Sequence, residues 1–159
     1  MSGDSVYGFS VKSWDGKEVT LEKYKGKVLL IANVASKCGL TNKHYTWFKE
    51  ILEKYHDQGL KIALFPCNQF RGQEPKAETD IKDFVMEKYN FEPDLYAKIN
   101  VNGTNADPLF NFLKDEQGDG AKISWNFGKF LVDRDGKVVG RFDPRGDLAE
   151  VQEEIEKLL

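Results

Sequence analysis

A chain of 159 residues has the size of one folded domain, and we expect a single domain over residues 1–159. Hydrophobic residues make up 40% and charged residues 31%, which indicates a globular protein with a core rather than a disordered chain. The formal net charge of -3 is too small to favour nucleic acid or anionic lipid as a partner. The longest strongly apolar run, Val28 to Ala32, is too short to cross a bilayer.

The cysteines, histidines and N-terminus set further limits. Two cysteines cannot form a disulfide framework, and a zinc module would need both cysteines and both histidines at a workable spacing. We therefore expect no bound metal. Residues Met1 to Asp4 contain neither a basic nor an apolar targeting stretch. A cytoplasmic location is expected, unless a targeting segment was removed from the chain.

The first half of the chain predicts alternating strands and helices. An N-terminal β-hairpin has Tyr7 to Val11 and Val19 to Leu21 as its arms, around Asp15-Gly16. The continuous apolar run from Val28 to Val34 is typical of a central strand buried on both faces. From Leu40 to about Tyr55, apolar side chains recur every three or four residues, which predicts an amphipathic helix.

The middle of the chain completes a βαβ unit. Gly59 closes the first helix, and Leu60 to Phe65 is a second buried strand, which must be parallel to the first. Asp107 and Pro108 form an N-cap and first-turn proline pair that opens a short helix. Another helix before it is marked by apolar residues at helical spacing: Ile81, Phe84, Val85 and Tyr89.

The last part of the chain predicts a ββα unit. Phe127 to Val132 and Lys137 to Phe142 are strand-like runs joined by a hairpin turn at Asp133 to Gly136, and Asp147 caps a last helix. A βαβ unit followed by a ββα unit gives a mixed central sheet with helices on both faces. The predicted fold is α/β and thioredoxin-like, with the N-terminal hairpin added to it.

The chemistry concentrates between Asn33 and Thr41, where the first buried strand runs into the first helix. A helix N-terminus favours thiolate over thiol through its partial positive charge and free N–H groups, and Cys38 lies there. The alternative is that Cys38 is a small buried hydrophobic residue. The adjoining Lys37 and Gly39 argue against deep burial, so we interpret Cys38 as a reactive thiol.

Two kinds of cysteine chemistry do not fit this segment. Dithiol exchange needs Cys-x-x-Cys, and the fourth position is Thr41. A hydrolase needs a histidine base, but His44 lies about 240° around the helix from Cys38, and His56 would lie about 27 Å along its axis. Peroxide reduction fits without a general base, because the thiolate attacks the O–O bond, forms a sulfenic acid and releases water or an alcohol.

Four motifs in chain order resemble the glutathione peroxidase family over nearly the whole sequence. They are Asn33 to Thr41, Phe65 to Phe70, Gln73-Glu74-Pro75 and Trp125-Asn126-Phe127. The resemblance implies that Cys38 stands where the family has its catalytic selenocysteine or cysteine, surrounded by Gln73, Trp125 and Asn126. These neutral side chains would donate hydrogen bonds to the thiolate and to the leaving oxygen. The sequence does not decide whether position 38 is selenocysteine in nature.

Within that family the chain is similar to the short-loop, phospholipid-hydroperoxide type, since only residues 114–124 precede Trp125 after the short helix. The resemblance implies a monomer that reduces hydrogen peroxide and organic or phospholipid hydroperoxides without a prosthetic cofactor. Thioredoxin-dependent members carry a resolving cysteine where this chain has Met86, so glutathione is the expected reductant. Lys122 and Arg141 are candidates for binding its carboxylates, because both are cationic and close to the tryptophan motif.

Three alternatives stay open at this point. Cys67 as a resolving thiol would give a thioredoxin-dependent peroxidase, although a structural role at the end of a buried strand is simpler. A peroxiredoxin on the same fold is disfavoured, because Ala35 occupies the position of its threonine. The third alternative is a non-catalytic thioredoxin-like interaction module with an inert thiol.

Overall fold

A computed structural model describes residues 5–159, which form a five-stranded sheet flanked by helices and a separate two-stranded hairpin. The elements in chain order are β1 (Ser10–Lys12), β2 (Glu18–Thr20), β3 (Val28–Val34), α1 (Thr41–Tyr55), β4 (Leu60–Pro66), α2 (Glu78–Tyr89), β5 (Asp94–Leu95), α3 (Pro108–Glu116), β6 (Lys129–Val132), β7 (Val138–Phe142) and α4 (Leu148–Leu158).

Strand β3 lies at the centre of the sheet, whose order is β5-β4-β3-β6-β7. It pairs in parallel with β4, from Val28 opposite Leu60 to Val34 opposite Pro66, and antiparallel with β6. The predicted mixed sheet is therefore confirmed, as is the thioredoxin-like order of a βαβ unit followed by a ββα unit. The carboxyl end of β3 and the beginning of β6 meet at one edge of the sheet, and this places the site described below.

The sheet has a hydrophobic core on each face, which explains why β3 is apolar at nearly every position. Alternate β3 residues face α1, α2 and α4 on one side: Val28, Leu30, Ala32 and Val34. The others face α3 and the N-terminal segment: Leu29 and Ile31. A strand buried on both sides needs apolar residues on both sides, since burial contributes about 25 cal/mol per Å² of apolar surface.

Some details of the predicted elements differ in the structure. Strand β6 begins at Lys129 instead of Phe127, because Phe127 adopts a left-handed backbone (φ 68°) that cannot continue a strand. The hairpin is confirmed, but Val6–Gly8 forms a 3-10 turn before it. Helix α1 is followed by a further 3-10 turn, His56–Gln58, before Gly59 takes the left-handed conformation (φ 108°).

Within residues 5–159, every helix is too short or too polar to span a membrane. The cytoplasmic location stays a prediction.

Candidate active site

Cys38 lies in the tight connection between β3 and α1. The side chain of Thr41, the first residue of α1, donates a hydrogen bond to the Ala35 carbonyl at 2.7 Å and accepts one from the Cys38 amide at 3.1 Å. The Thr41 amide in turn donates to the Cys38 carbonyl at 3.1 Å. The residue that replaces the second cysteine of a dithiol motif therefore fixes the backbone on both sides of Cys38.

Two neutral donors converge on the sulfur of Cys38. The indole Nε1 of Trp125 lies 3.3 Å from Sγ, and the backbone amide of Leu40 lies 3.4 Å from it. Leu40 is the residue just before α1. Its amide is therefore one of the free N–H groups that the sequence analysis expected at the helix N-terminus beside Cys38. Cys38 is half-buried, so the residue is not sealed inside the core. Hydrogen bonds from neutral groups to a thiolate stabilise it without neutralising it.

The indole of Trp125 is held from several directions. Its ring centroid lies 5.8 Å from that of Phe70, and the guanidinium carbon of Arg145 lies 5.6 Å from the ring centroid on a cation–π contact. The Trp125 carbonyl accepts a hydrogen bond from Asn33 of β3 at 3.1 Å. Contacts to both ring and backbone orient the N–H group toward the sulfur.

Gln73 and Asn126 are bonded to each other rather than to the sulfur. Asn126 Nδ2 donates to Gln73 Oε1 at 2.9 Å, and Asn126 is fully buried whereas Gln73 is half-buried. The Gln73 carbonyl also accepts from the Lys37 amide at 3.1 Å, which places Gln73 beside the cysteine segment. Of the three predicted donors, Trp125 alone contacts Cys38 directly in the described residues. The bond from Asn126 occupies the Gln73 oxygen. The amide NH2 group of Gln73 has no acceptor among residues 5–159, so it can donate to a reactant.

Glu74 is a site residue to which the sequence analysis assigned no role. It is fully buried, its Oε1 accepts a hydrogen bond from the Ser36 amide at 3.0 Å, and its own amide donates to Asn68 Oδ1 at 2.9 Å. Burial raises the pKa of this carboxyl to about 7. Glu74 therefore joins the Gln-Glu-Pro segment to the segment preceding Cys38. The sequence feature that could have pointed to Glu74 is the presence of a carboxylate inside the Gln73-Glu74-Pro75 motif.

The same arrangement of motifs identifies a family. A model of the glutathione peroxidase family matches residues 6–114, more than half of the chain. The chain belongs to the glutathione peroxidase family. Glutathione peroxidases are oxidoreductases that reduce hydroperoxides, use glutathione as co-substrate and need no prosthetic group. Family membership excludes the interpretation as a non-catalytic interaction module.

Individual relatives extend the match beyond residue 114. The chain is 54% identical to glutathione peroxidase 1 of Caenorhabditis elegans over 157 residues, which are 98% of this chain and 96% of that protein. It is 52% identical to a probable phospholipid hydroperoxide glutathione peroxidase of Solanum lycopersicum, over 98% of this chain and 93% of that protein. The crystal structure of T. cruzi GPX1 superposes with a TM-score of 0.75 at 37% identity, over 97% of this chain and 95% of that one.

Cys67, the other thiol of this glutathione peroxidase, lies in a different environment. It is fully buried beyond the end of β4, in the core on the α3 side of the sheet, whereas Cys38 packs against the core on the α1 side. Burial raises the pKa of the Cys67 thiol, and its sulfur lies 3.6 Å from Gln69 Oε1. Both cysteines are free thiols. These observations favour the structural interpretation of Cys67.

The two cations predicted to bind glutathione are placed differently. Arg141 donates to the carbonyls of Gln117 at 3.2 Å and Lys122 at 2.9 Å, and its guanidinium lies over the Phe130 ring. Arg141 therefore anchors the segment that leads from α3 to the tryptophan motif, while the Lys122 side chain is exposed. Binding of glutathione by either residue stays a prediction.

Arg145 is a cation beside Trp125 to which the sequence analysis assigned no role in the site. Its guanidinium lies over the Trp125 ring, is exposed, and has no hydrogen-bond acceptor within the described part of the chain. In the sequence it stands in a turn immediately before the cap of the last helix, where a charged residue is normally only solvated. The turn follows β7, which pairs with β6, and this pairing brings the turn to Trp125 just before β6.

The described residues contain no group of three or more histidine, cysteine, aspartate or glutamate side chains that could hold a metal ion.

Proposed function

We propose that Cys38 is the peroxidatic residue of this glutathione peroxidase and that its substrates include phospholipid hydroperoxides. The observation that carries the proposal is the convergence of the Trp125 indole and the Leu40 amide on the Cys38 sulfur, at 3.3 and 3.4 Å. A half-exposed cysteine whose sulfur accepts hydrogen bonds from two neutral donors has the surroundings of a reactive cysteine. Cys67 has neither the exposure nor the helix N-terminus.

In the first step, the Cys38 thiolate attacks the terminal oxygen of the hydroperoxide. An S–O bond forms, the O–O bond breaks, and the leaving alkoxide takes a proton to become an alcohol, or water when the substrate is hydrogen peroxide. Sulfur loses the two electrons that the peroxide gains. The leaving oxygen acquires negative charge in this step. The amide NH2 group of Gln73 is an uncharged donor that can stabilise this charge, because Asn126 already occupies the Gln73 oxygen.

In the second stage, glutathione returns the sulfenic acid to the thiolate. A first glutathione thiolate attacks the sulfenic sulfur, so that an S–S bond forms and the S–O bond breaks. The leaving hydroxide takes a proton to become water, and a mixed disulfide remains on Cys38. A second glutathione attacks this disulfide, so that glutathione disulfide leaves and the Cys38 thiolate is restored. Arg145 on the face of Trp125 and the exposed Lys122 are the cations that support binding of the glutathione carboxylates.

The shape of the surface around Cys38 supports a large substrate. Helix α3 ends at Glu116, so only residues 117–124 connect it to Trp125, and both Trp125 and Cys38 are partly exposed. So short a connection offers few residues that could cover the Cys38 sulfur and exclude a bulky hydroperoxide. The Solanum lycopersicum relative, named as a probable phospholipid hydroperoxide glutathione peroxidase, supports the same substrate class.

The short connection also supports a monomer, because it offers no extended segment for contacts between subunits. Sedimentation equilibrium at micromolar concentrations is expected to give a mass near 18.2 kDa. A concentration-dependent dimer or tetramer would contradict this part of the proposal.

The whole proposal is tested by steady-state turnover of phosphatidylcholine hydroperoxide with glutathione and glutathione reductase. The wild-type chain should turn over this substrate, Cys38→Ser should abolish turnover, and Cys67→Ser should retain most of it. Activity in Cys38→Ser, or turnover that requires thioredoxin together with Cys67, would overturn the assignment.

A further inference from the structure

A buried lysine and a buried histidine meet beneath the active site. Lys129, the first residue of β6, and His44, on α1, are at most 1% exposed, and Lys129 Nζ lies 2.8 Å from His44 Nε2. Lys129 Nζ also donates a hydrogen bond to the Phe127 carbonyl at 2.7 Å. A lysine is rarely buried, since desolvation of its ammonium group is costly unless its donors are satisfied.

The other nitrogen of His44 defines how the pair is bonded. Nδ1 lies 3.0 Å from the Leu40 carbonyl, which can only accept, so Nδ1 carries the hydrogen and Nε2 accepts from Lys129. The imidazole is therefore neutral. Burial lowers the pKa of His44 to about 3 and that of Lys129 to about 7, in agreement with this arrangement. The Phe127 ring stacks on the imidazole at 4.6 Å between centroids.

The hydrogen bonds from the Leu40 carbonyl through His44 and Lys129 to the Phe127 carbonyl form a bridge. Each end of this bridge lies close in the chain to a donor of the Cys38 sulfur. At one end, the Leu40 carbonyl belongs to the residue whose amide donates to Sγ at 3.4 Å. At the other end, the Phe127 carbonyl lies two residues after Trp125, whose indole donates to Sγ at 3.3 Å. The bridge thus connects the two chain segments that supply the sulfur's donors.

The Phe127 end of the bridge needs support. Phe127 has φ 68°, a left-handed conformation that a bulky residue rarely adopts and that surrounding contacts must maintain. Its amide donates to the Asn33 carbonyl at 2.6 Å, and its carbonyl is occupied by Lys129. Lys129 therefore holds the left-handed turn on which the position of Trp125 depends.

We propose that His44 and Lys129 are positioning residues for Cys38, which set the distance between the helix N-terminus that carries Leu40 and the turn that carries Trp125. The proposal rests on the assignment of Cys38 as the peroxidatic residue. Neither side chain touches the reacting atoms, so their effect passes through the Leu40 and Trp125 donors. A small displacement of positioned groups is enough to cost up to about 100-fold in rate.

The first measurement follows the Trp125 indole N–H resonance by ¹⁵N NMR in the reduced protein, together with the rate of Cys38 oxidation by hydrogen peroxide. Lys129→Met, which removes the amine but keeps an unbranched side chain, should shift the Trp125 resonance. The Trp14 resonance serves as internal reference. Oxidation of Cys38 should slow by about tenfold or more.

Lys114→Met is the matched control. Lys114 is a buried lysine on α3 whose Nζ donates to the Val101 carbonyl at 2.5 Å, on the face of the sheet opposite Lys129. Lys114 Nζ also lies 3.4 Å from Asn102 Oδ1, which accepts from the Ile123 amide, so this variant measures how far the loss of another buried lysine disturbs the segment before Trp125. It should move the Trp125 resonance and the oxidation rate less than Lys129→Met does. An effect of Lys129→Met no larger than that of Lys114→Met would overturn the proposal.

A second pair of variants keeps the test decisive if Lys129→Met does not fold. His44→Gln retains an acceptor for Lys129, whereas His44→Phe retains the ring but no acceptor or donor. His44→Gln should restore most of the oxidation rate that His44→Phe loses, and equal rates in the two variants would overturn the proposal. If the wild-type chain proves inactive while the Trp125 resonance still shifts in Lys129→Met, the positioning contact stands and the proposed function fails.

Discussion

The indole nitrogen of Trp125 donates a hydrogen bond to the sulfur of Cys38 across a separation of 87 residues. Trp125 precedes β6, Cys38 follows β3, and the antiparallel pairing of these two strands brings their ends together. The position of this donor is therefore a consequence of the sheet register.

Trp125→Phe removes the indole N–H while keeping an aromatic ring against Phe70. A hydrogen bond to a charged group contributes about 1.5–3 kcal/mol, so the rate of Cys38 oxidation should fall by roughly 10- to 100-fold. Quenched-flow mixing with hydrogen peroxide, followed by counting of the remaining free thiols at each time, gives the rate directly. Trp14→Phe is the control, and equal rates in the two variants would show that the indole does not stabilise the thiolate.

Gln73→Ala and Asn126→Ala should each slow Cys38 oxidation, because Asn126 orients the amide of Gln73. If Asn126 acts only through Gln73, the double variant should be no slower than Gln73→Ala alone. Urea unfolding of each variant separates loss of rate from loss of the buried Asn126 packing. Rate losses that multiply in the double variant would mean that Asn126 has a contact of its own with the reacting groups.

Glu74 should make the free energy of unfolding depend on pH. Burial raises the pKa of its carboxyl from 4.5 to about 7 in the folded protein, so between these values the folded state binds more protons than the unfolded state. Its contribution to stability is fully present below about pH 4.5 and is lost as the pH rises through about 7. The loss amounts to roughly 3 kcal/mol.

Glu74→Gln tests this dependence, since the amide oxygen still accepts from the Ser36 amide. Urea unfolding at pH 5 and pH 8 should show a smaller fall in stability for Glu74→Gln than for the wild-type chain. Glu50→Gln, at an exposed position of α1, should behave as the wild type. A parallel fall in Glu74→Gln and wild type would mean that Glu74 is ionised throughout this range.

Arg145→Gln should raise the KM for glutathione several-fold and leave stability unchanged, because its exposed guanidinium contacts only the Trp125 ring. Arg141→Gln should instead lower stability, since it removes bonds to the Gln117 and Lys122 carbonyls. Steady-state kinetics and thermal unfolding of the two variants distinguish these roles. An unchanged KM in Arg145→Gln would leave Lys122 as the remaining candidate near Trp125.

Oxidation by one equivalent of hydrogen peroxide, followed by glutathione, should give a single glutathione adduct on Cys38. Met86 on α2 cannot form a disulfide, and Cys67 lies on the other face of the sheet from Cys38. Mass spectrometry of the wild-type chain and of Cys67→Ser should show the same adduct. A stable Cys38–Cys67 disulfide in the wild-type chain would identify Cys67 as a resolving thiol.

Local patterns in the sequence determined most of the fold. The apolar run of β3 reports burial on both faces, and the spacing of apolar residues in α1 reports one buried face. The N-caps Asp107 and Asp147 accept hydrogen bonds from the amides two residues on, as their side-chain chemistry predicts. Such features depend on neighbours within a few residues, so the sequence carries them directly.

Other features of the site were decided only by tertiary structure. The bond between Gln73 and Asn126, the contact of Arg145 with Trp125 and the bridge from His44 to Lys129 join segments that are 20 to 85 residues apart in the chain. No local period or turn signal encodes these pairings, because they depend on sheet register and on the left-handed turn at Phe127. The motifs identify which residues gather at the thiol, whereas packing around β3 and β6 decides which of them donate to the sulfur and which hold one another.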